Sequence, residues 1–265
     1  MLEHNPTTYY IAAAVQVSPI MRRVKYVEPR TISSLADCWF YHVMDLPGHG
    51  TVNHFGSWDL RGRFDEYIGG TDIAGKTFLD VGAATGFLSF EAEKRGASVT
   101  SFDVDNGDEV NVDPMTDASA KRAEVTKMQN GYWFAHRTLN SRAKAVYGDA
   151  LKLSRYVDPV DIVMIGQMLV HVRDPIAVIE QACRTAKETV IIAEGSFDTD
   201  DPIARFMGAL FPGYNAWWHL STGLYRAAFK LFGFEVRRVS VGHYQCNHPG
   251  ALGMNEIWTF VARRL

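Results

Sequence analysis

The chain has 265 residues, of which 47% are hydrophobic and 22% charged, an ordinary globular composition that excludes a disordered or fibrous protein. Its length suits one large domain, or one domain with appendages. A net charge of −3 supplies no overall basic field, so tight nonspecific binding to nucleic acid is not expected from charge.

Residues 1–36 read as a helical or irregular leader carrying a basic cluster, Arg22, Arg23 and Lys25. Its opening, MLEHNPTTYYIAAAVQ, places no basic residues before a short apolar run, and that run is too brief for a signal-peptide core. Residues 37–70 are rich in His, Gly and aromatics, a mixture that fits regular helix or strand poorly and suggests a lid or pocket-forming segment. The expected division is therefore 1–70, an N-terminal helical or irregular lid, and 71–265, a ligand-binding domain.

From Lys76 onward the pattern alternates. TFLDV is a short apolar run followed by glycine, and FLSFEAEKRG is a helical stretch stopped by Gly96. ASVTSFDVD reads as a second strand, residues 114–145 as helix, KAVYGDAL as a third strand and turn, and DIVMIGQMLV as a buried strand entering a loop. DPIAVIEQACRTA is an amphipathic helix and ETVIIAEGSF another buried strand. Such alternation predicts right-handed crossovers and a doubly wound, mostly parallel sheet with helices on both faces. FGFEVRRVSV and EIWTFVARRL are two strands joined by a loop alone, so they predict an antiparallel hairpin at the sheet edge. Cys38, Cys183 and Cys246 are far apart with no CxxC pair, which argues against a disulfide framework or a zinc site and fits a reducing compartment. No apolar run is long enough to span a bilayer, so a cytoplasmic protein without a membrane partner is expected.

A parallel doubly wound sheet of seven strands closing on an antiparallel C-terminal strand resembles the Rossmann-like fold of class I S-adenosylmethionine-dependent methyltransferases. In open α/β sheets ligands bind beyond the carboxyl ends of the strands, at the switch point. The first strand ends at Asp80, and Gly82-Ala83-Ala84-Thr85-Gly86 turns into a helix opened by Phe87. Ala84 stands where a dinucleotide loop needs glycine so that its backbone can approach a pyrophosphate. S-adenosyl-L-methionine has no phosphate. It needs a close turn and an acid for its ammonium group, a role that suits Asp80. Asp103, followed by Val104, ends the second strand 21 residues beyond Gly82, where a carboxylate takes ribose hydroxyls. Gly148-Asp149-Ala150 follows the third strand, where an Asp can accept the adenine amino group, and Gln167 follows the fourth. Taken singly, Asp80, Asp103 and Asp149 also read as ordinary strand-end and turn acids; their joint occurrence at three successive strand ends favours a cofactor.

The segment LVHVRDP holds His171, which is either a general base or a loop histidine, and Asp174, which suits an N-cap ahead of a first-turn proline. His42 is a second candidate base. The aromatic wall for an acceptor comprises Tyr41, His54, Trp58, Trp217, Trp218 and His219, and each of these residues is equally well explained by packing. No acidic cluster that would hold a metal is found.

The run WFYHVMDLPGHGTVNHFGSWDL, the turn DVGAATGF, NSRAKAVYGDAL, LVHVRDP and AWWHLSTGLYRAAFKLFGFEV resemble a group of bacterial methyltransferases over most of residues 39–239. That group includes the enzymes that place a carboxymethyl group on the tRNA wobble uridine. Residues 1–36 do not align to its longer N-terminal portion. The leading expectation is methyl transfer to an oxygen or nitrogen of a small aromatic or heterocyclic molecule, in specialised metabolism. An RNA-modifying enzyme is the alternative, and an NAD-dependent oxidoreductase or a noncatalytic binding protein the remoter ones. The sequence does not specify the oligomeric state.

Overall fold

The computed structural model describes residues 24–53, 58–105, 117–208, 216–247 and 252–265. Ahead of the main sheet, β1 (Met44–Leu46) and β2 (Gly50–Val52) form a hairpin, followed by β3 (Trp58–Asp59) and the short helix α1 (Phe64–Tyr67). Then come β4 (Thr77–Val81), α2 (Phe87–Lys94), β5 (Ser98–Asp103), α3 (Ala118–Thr138), β6 (Lys144–Tyr147), β7 (Val160–Gly166), α4 (Pro175–Thr185) and β8 (Ala186–Glu194). The small strands β9 (Ser196–Phe197), β10 (Ala204–Phe206) and β11 (Trp218–Ser221) lead to α5 (Thr222–Leu231), β12 (Phe234–Cys246) and β13 (Gly253–Arg264).

The main sheet has the order β3-β12-β13-β8-β7-β4-β5-β6. Strands β4 to β8 are parallel, and β13 runs antiparallel to both β8 and β12. The fold is thus the doubly wound, mostly parallel sheet expected from the sequence, with one difference at its margin. The expected C-terminal hairpin joins the sheet through β13, between β8 and β12, but does not end it: β3 from the lead-in pairs with the far end of β12 as an eighth strand. A two-residue strand bearing Trp58 has too little periodicity to be read from sequence.

Alternation along the central strands divides the core into two layers. Phe78, Met164 and Ile191 face a cluster with α2, α3 and the lead-in residues Phe40, Leu46 and Trp58. Leu79, Val163, Ile165 and Ile192 face a second cluster with α4 and α5. Because both faces are covered, the strands read as continuous apolar runs rather than as alternating ones.

The lead-in is more regular than its composition suggests. Met44 and Leu46 are buried and Asp45 is exposed, which is strand alternation, and Pro47-Gly48-His49 make a three-residue turn with Gly48 at φ 76°. The segment lies close against α3, where the Trp39 amide donates to the Lys127 carbonyl at 3.0 Å. A Cβ at Gly131 would sit 2.7 Å from the Trp39 carbonyl oxygen, so this contact needs glycine. Helix α3 stops at Thr138, short of the expected residue 145, because Asn140 takes a left-handed φ of 52° that ends the helix before β6.

Phe260 of β13 is fully buried, and its ring centre lies 4.5 Å from that of Tyr225 in α5. Phe260→Ala is expected to destabilise the protein by about 3–5 kcal/mol in urea unfolding. A loss below about 1 kcal/mol would mean that β13 is not packed in this register.

Candidate functional site

The sheet reverses its winding at β4, which has β5 on one side and β7 on the other. The crevice beyond the carboxyl ends of these two strands is where an open α/β sheet receives ligands. Asp80, next to last in β4, is fully buried. Its Oδ2 accepts from the Ser89 hydroxyl at 2.7 Å; that hydroxyl is shared with Ser101, to which the Tyr132 hydroxyl also donates. Its Oδ1 is buried with no partner within the protein. Burial, reinforced by the Asp103 charge, pushes the Asp80 carboxyl up to about 7, and the Ser89 hydrogen bond only partly opposes this.

The turn that follows is stitched to β5. The amides of Gly82 and Ala83 donate to the Phe102 carbonyl, and the Ala84 amide donates to Asp103 Oδ2 at 2.6 Å. Gly82 has φ 78°, and a Cβ there would meet Met168 Cγ at 2.8 Å. Gly86 has φ 84°, and a Cβ there would strike the rings of Phe90 and Tyr132. Ala84 adopts φ 50°, a left-handed conformation that costs an L-residue about 1–2 kcal/mol. The backbone at this position has the glycine conformation although the residue is alanine. The Asp103 hydrogen bond holds it there.

Asp103 is partly buried, and its Oδ1 accepts from the Val104 amide at 2.7 Å. Burial pushes its carboxyl up to about 6 against the two amides that lower it. Beside it, the Gly148 amide donates to the Asp103 carbonyl, and a Cβ at Gly148 would strike the Tyr156 ring. Asp149 accepts from the Leu151 amide and pairs with Lys152 at 2.9 Å, so its carboxylate is engaged in capping the turn that begins at Ala150.

After β7, Gln167 also takes a left-handed φ, 52°, and its Nε2 is buried without a partner in the protein. A 3-10 turn over Leu169–His171 follows, and Asp174 accepts from the Ala177 amide as the N-cap of α4, with Pro175 in its first turn. Sequence reasoning missed the residue beneath this turn. Glu194, at the end of β8, is 2% exposed and accepts from the Leu169 amide at 2.6 Å and from the amides of Met168 and Val170. Burial pushes its carboxyl up to about 8. The available signal was the acid that ends TVIIAE, as Asp80 and Asp103 end their own strands.

The aromatic candidates fall into two groups. Tyr41 and His42 have ring centres 4.9 Å apart, and His42 lies 5.5 Å from Phe87, the first residue of α2. His42 is buried with Nδ1 unpartnered, and burial holds its imidazole down to about 3, so it is neutral. Trp58 is a core residue, bonded through its backbone to Tyr41 and Val43. The second group borders the loop after β7. The Trp217 amide donates to the Val170 carbonyl, the Trp218 indole donates to the Arg173 carbonyl, and the Arg173 guanidinium stacks 4.6 Å over Trp217. His219 packs edge-on to Phe197, and burial, with the Arg205 charge, lowers its pKa. His54 lies outside the described residues. Thus Tyr41 and His42 join the turn after β4 through Phe87, and Trp217 and Trp218 join the loop after β7. Among the described residues no group of three His, Cys, Asp or Glu side chains is placed to hold a metal, and no helix is long and apolar enough to cross a membrane.

No family model matches the chain. It is 33% identical to a ubiquinone biosynthesis O-methyltransferase of Nitrosomonas europaea over 46% of its own length and 43% of that protein. It is 28% identical to the protein of the same name in Pseudomonas fluorescens, over 63% of its own length and 61% of that protein. The chain therefore spans less than two thirds of the length of either curated relative. Among solved structures, it resembles the pyocyanin biosynthetic protein PhzM with a TM-score of 0.50 and 19% identity, over 76% of this chain and 54% of that one. It resembles a candidate methyltransferase of Bacillus halodurans with a TM-score of 0.50 and 14% identity, over 76% of this chain and 98% of that one. At these identities the likeness is one of fold, and the fold is the Rossmann-like one of class I methyltransferases.

Asp80, Asp103 and Glu194 all hold their protons to higher pH than the roughly 4 of a free carboxyl. Unfolding releases those protons, whereas His42 and His219, which burial holds neutral, take protons up on unfolding below about pH 6.5. Above about pH 6.5 the carboxyls alone set the slope, and stability falls as pH rises to about 8. The melting midpoint of the ligand-free protein should therefore fall as pH rises from about 6.5 to 8, and Asp80→Asn should flatten part of that slope. A midpoint in scanning calorimetry that rises over this range would contradict the assignment.

Proposed function

We propose that the protein is an S-adenosylmethionine-dependent methyltransferase that methylates an oxygen or nitrogen of a small aromatic or heterocyclic acceptor. The observation that carries the reading is the acid-lined turn at the switch point: Asp80 before it, Asp103 bonded across it, and glycine where side chains crowd against it. The names of the curated relatives agree with an O-methylation. On this reading residues 71–265 form the donor-binding unit, and the lead-in up to residue 70 covers it.

The residues present fit the donor. Asp80 Oδ1, buried and unpartnered within the protein, is an acceptor for an ammonium group. Gly82, Ala83, Ala84 and Gly86 shape a close turn, and Phe87 opens the helix beyond it. Asp103 keeps further lone pairs for ribose hydroxyls beside Val104, while Gly148, Asp149 and Ala150 border the adenine end. Gln167 Nε2 offers a hydrogen-bond donor at the strand end opposite the turn. When bound, S-adenosylmethionine supplies a methyl group on positively charged sulfur.

The protein's own contribution is alignment and exclusion of water. Tyr41 from the lead-in, and Trp217, Trp218 and His219 from the other side, are the proposed acceptor wall, and flat apolar surfaces there suit a planar ring. His171, on the loop after β7, is the proposed proton acceptor for an acceptor hydroxyl. His42 is the weaker candidate base. Its neutral imidazole can accept a hydrogen bond at Nδ1, but burial disfavours the charged form that proton removal would create. The sequence resemblance to wobble-uridine modifiers makes tRNA the second acceptor to be tried.

Transfer of label from radioactive S-adenosylmethionine to catechols, phenols or N-heterocycles tests the reading. Label in tRNA alone would move the acceptor to RNA, and absence of S-adenosylhomocysteine binding with binding of NADH would overturn the donor. Asp103→Ala should weaken S-adenosylhomocysteine by about 10–100-fold in calorimetry, since hydrogen bonds to a charged group contribute about 1.5–3 kcal/mol. An unchanged affinity removes Asp103 from the site.

A further inference from the structure

The buried carboxyl of Glu194 is not used by the reaction proposed above, yet it touches the segment that joins both halves of the site. Removing a carboxylate from water costs several kcal/mol unless hydrogen bonds offset it. Here three successive amides, those of Met168, Leu169 and Val170, converge on one side chain. The same short stretch makes two outward contacts. The Met168 side chain rests against Gly82, where even a methyl group would overlap it. The Val170 carbonyl receives the Trp217 amide at 2.7 Å. One carboxylate therefore lies beneath a turn that abuts the Gly82–Gly86 loop on one side and the aromatic segment on the other. Buried Tyr67, in α1, and Tyr225, in α5, lie near enough that a negative charge on Glu194 raises their pKa values.

We propose that Glu194 is a positioning residue, whose three-amide grip on the Met168–Val170 turn sets Met168 against the donor loop and so governs donor affinity. This inference rests on the donor reading. Glu194 does not touch the donor; it acts through Met168.

The test is a double-mutant cycle read by S-adenosylhomocysteine binding in calorimetry on the full chain, with variants Glu194→Gln, Met168→Ala and the pair. Glutamine keeps the size but puts an NH2 donor in place of one of the two carboxyl oxygens, so fewer acceptors are left for the amides of the turn. Each single variant is expected to weaken binding about tenfold, which corresponds to about 1.4 kcal/mol. The pair should be little weaker than either single variant, because one substitution removes the path through which the other acts. A roughly hundredfold, additive loss in the pair would overturn the inference, as would unchanged affinity in Met168→Ala or in a folded Glu194→Gln. A purely structural role would lower the melting midpoint without this coupling. If Glu194→Gln does not fold, Glu194→Asp, which keeps the carboxyl but withdraws it by one methylene, takes its place in the cycle. Wild-type protein that binds no S-adenosylhomocysteine overturns the donor reading itself, and that result is seen before any variant is made.

Discussion

Three carboxylates are buried or partly buried at the carboxyl ends of β4, β5 and β8, and the bonds that hold them come from N–H and O–H groups rather than from cations. Asp80 is held by Ser89, Asp103 by the amides of Ala84 and Val104, and Glu194 by the amides of the turn after β7. A buried acid held in this way costs more than an ion pair at the surface, and it dictates the backbone around it. Without Asp103 the left-handed Ala84 has nothing to offset its strain. Without Glu194 the buried amides of the turn after β7 lose their acceptor.

This constraint links the two halves of the site. The donor loop is fixed to β5 through Asp103, the loop after β7 is fixed to β8 through Glu194, and Met168 lies between the two. The aromatic segment at Trp217 and Trp218 is tied to the same loop by two hydrogen bonds. On the proposed reading, the energetic logic is direct. A donor that carries both a sulfonium and an ammonium group brings positive charge to a crevice where Asp80 and Asp103 are held by hydroxyl and amide groups rather than by a cation.

The sheet, its winding and its antiparallel close were legible because each rests on local patterns. Apolar runs of strand length, glycine stops and the paired tail strands are all written in consecutive residues. The lead-in was less legible. Its hairpin has only three residues on each side, and His49, Gly48 and Gly50 obscure the alternation of Met44, Asp45 and Leu46. Ala84 was informative in a different sense from the one expected. Its identity speaks against close approach of a pyrophosphate, yet its backbone is the one a glycine would adopt, and only the bond to Asp103 explains how alanine remains there.

The sequence by itself determined the fold class and the acids at the ends of the first two strands, since strand-end position follows from where an apolar run stops. It could not decide which side chains become partners, because those contacts join residues far apart in the chain. Glu194 and Leu169 are 25 positions apart. His42 and Phe87 meet only when the lead-in docks on α2. Tertiary structure alone settled that Trp58 is core, that Asp149 caps its own turn, and that Glu194 lies beneath the turn carrying His171. The reason is physical: burial and hydrogen-bond pairing belong to the packed chain, whereas periodicity belongs to the sequence.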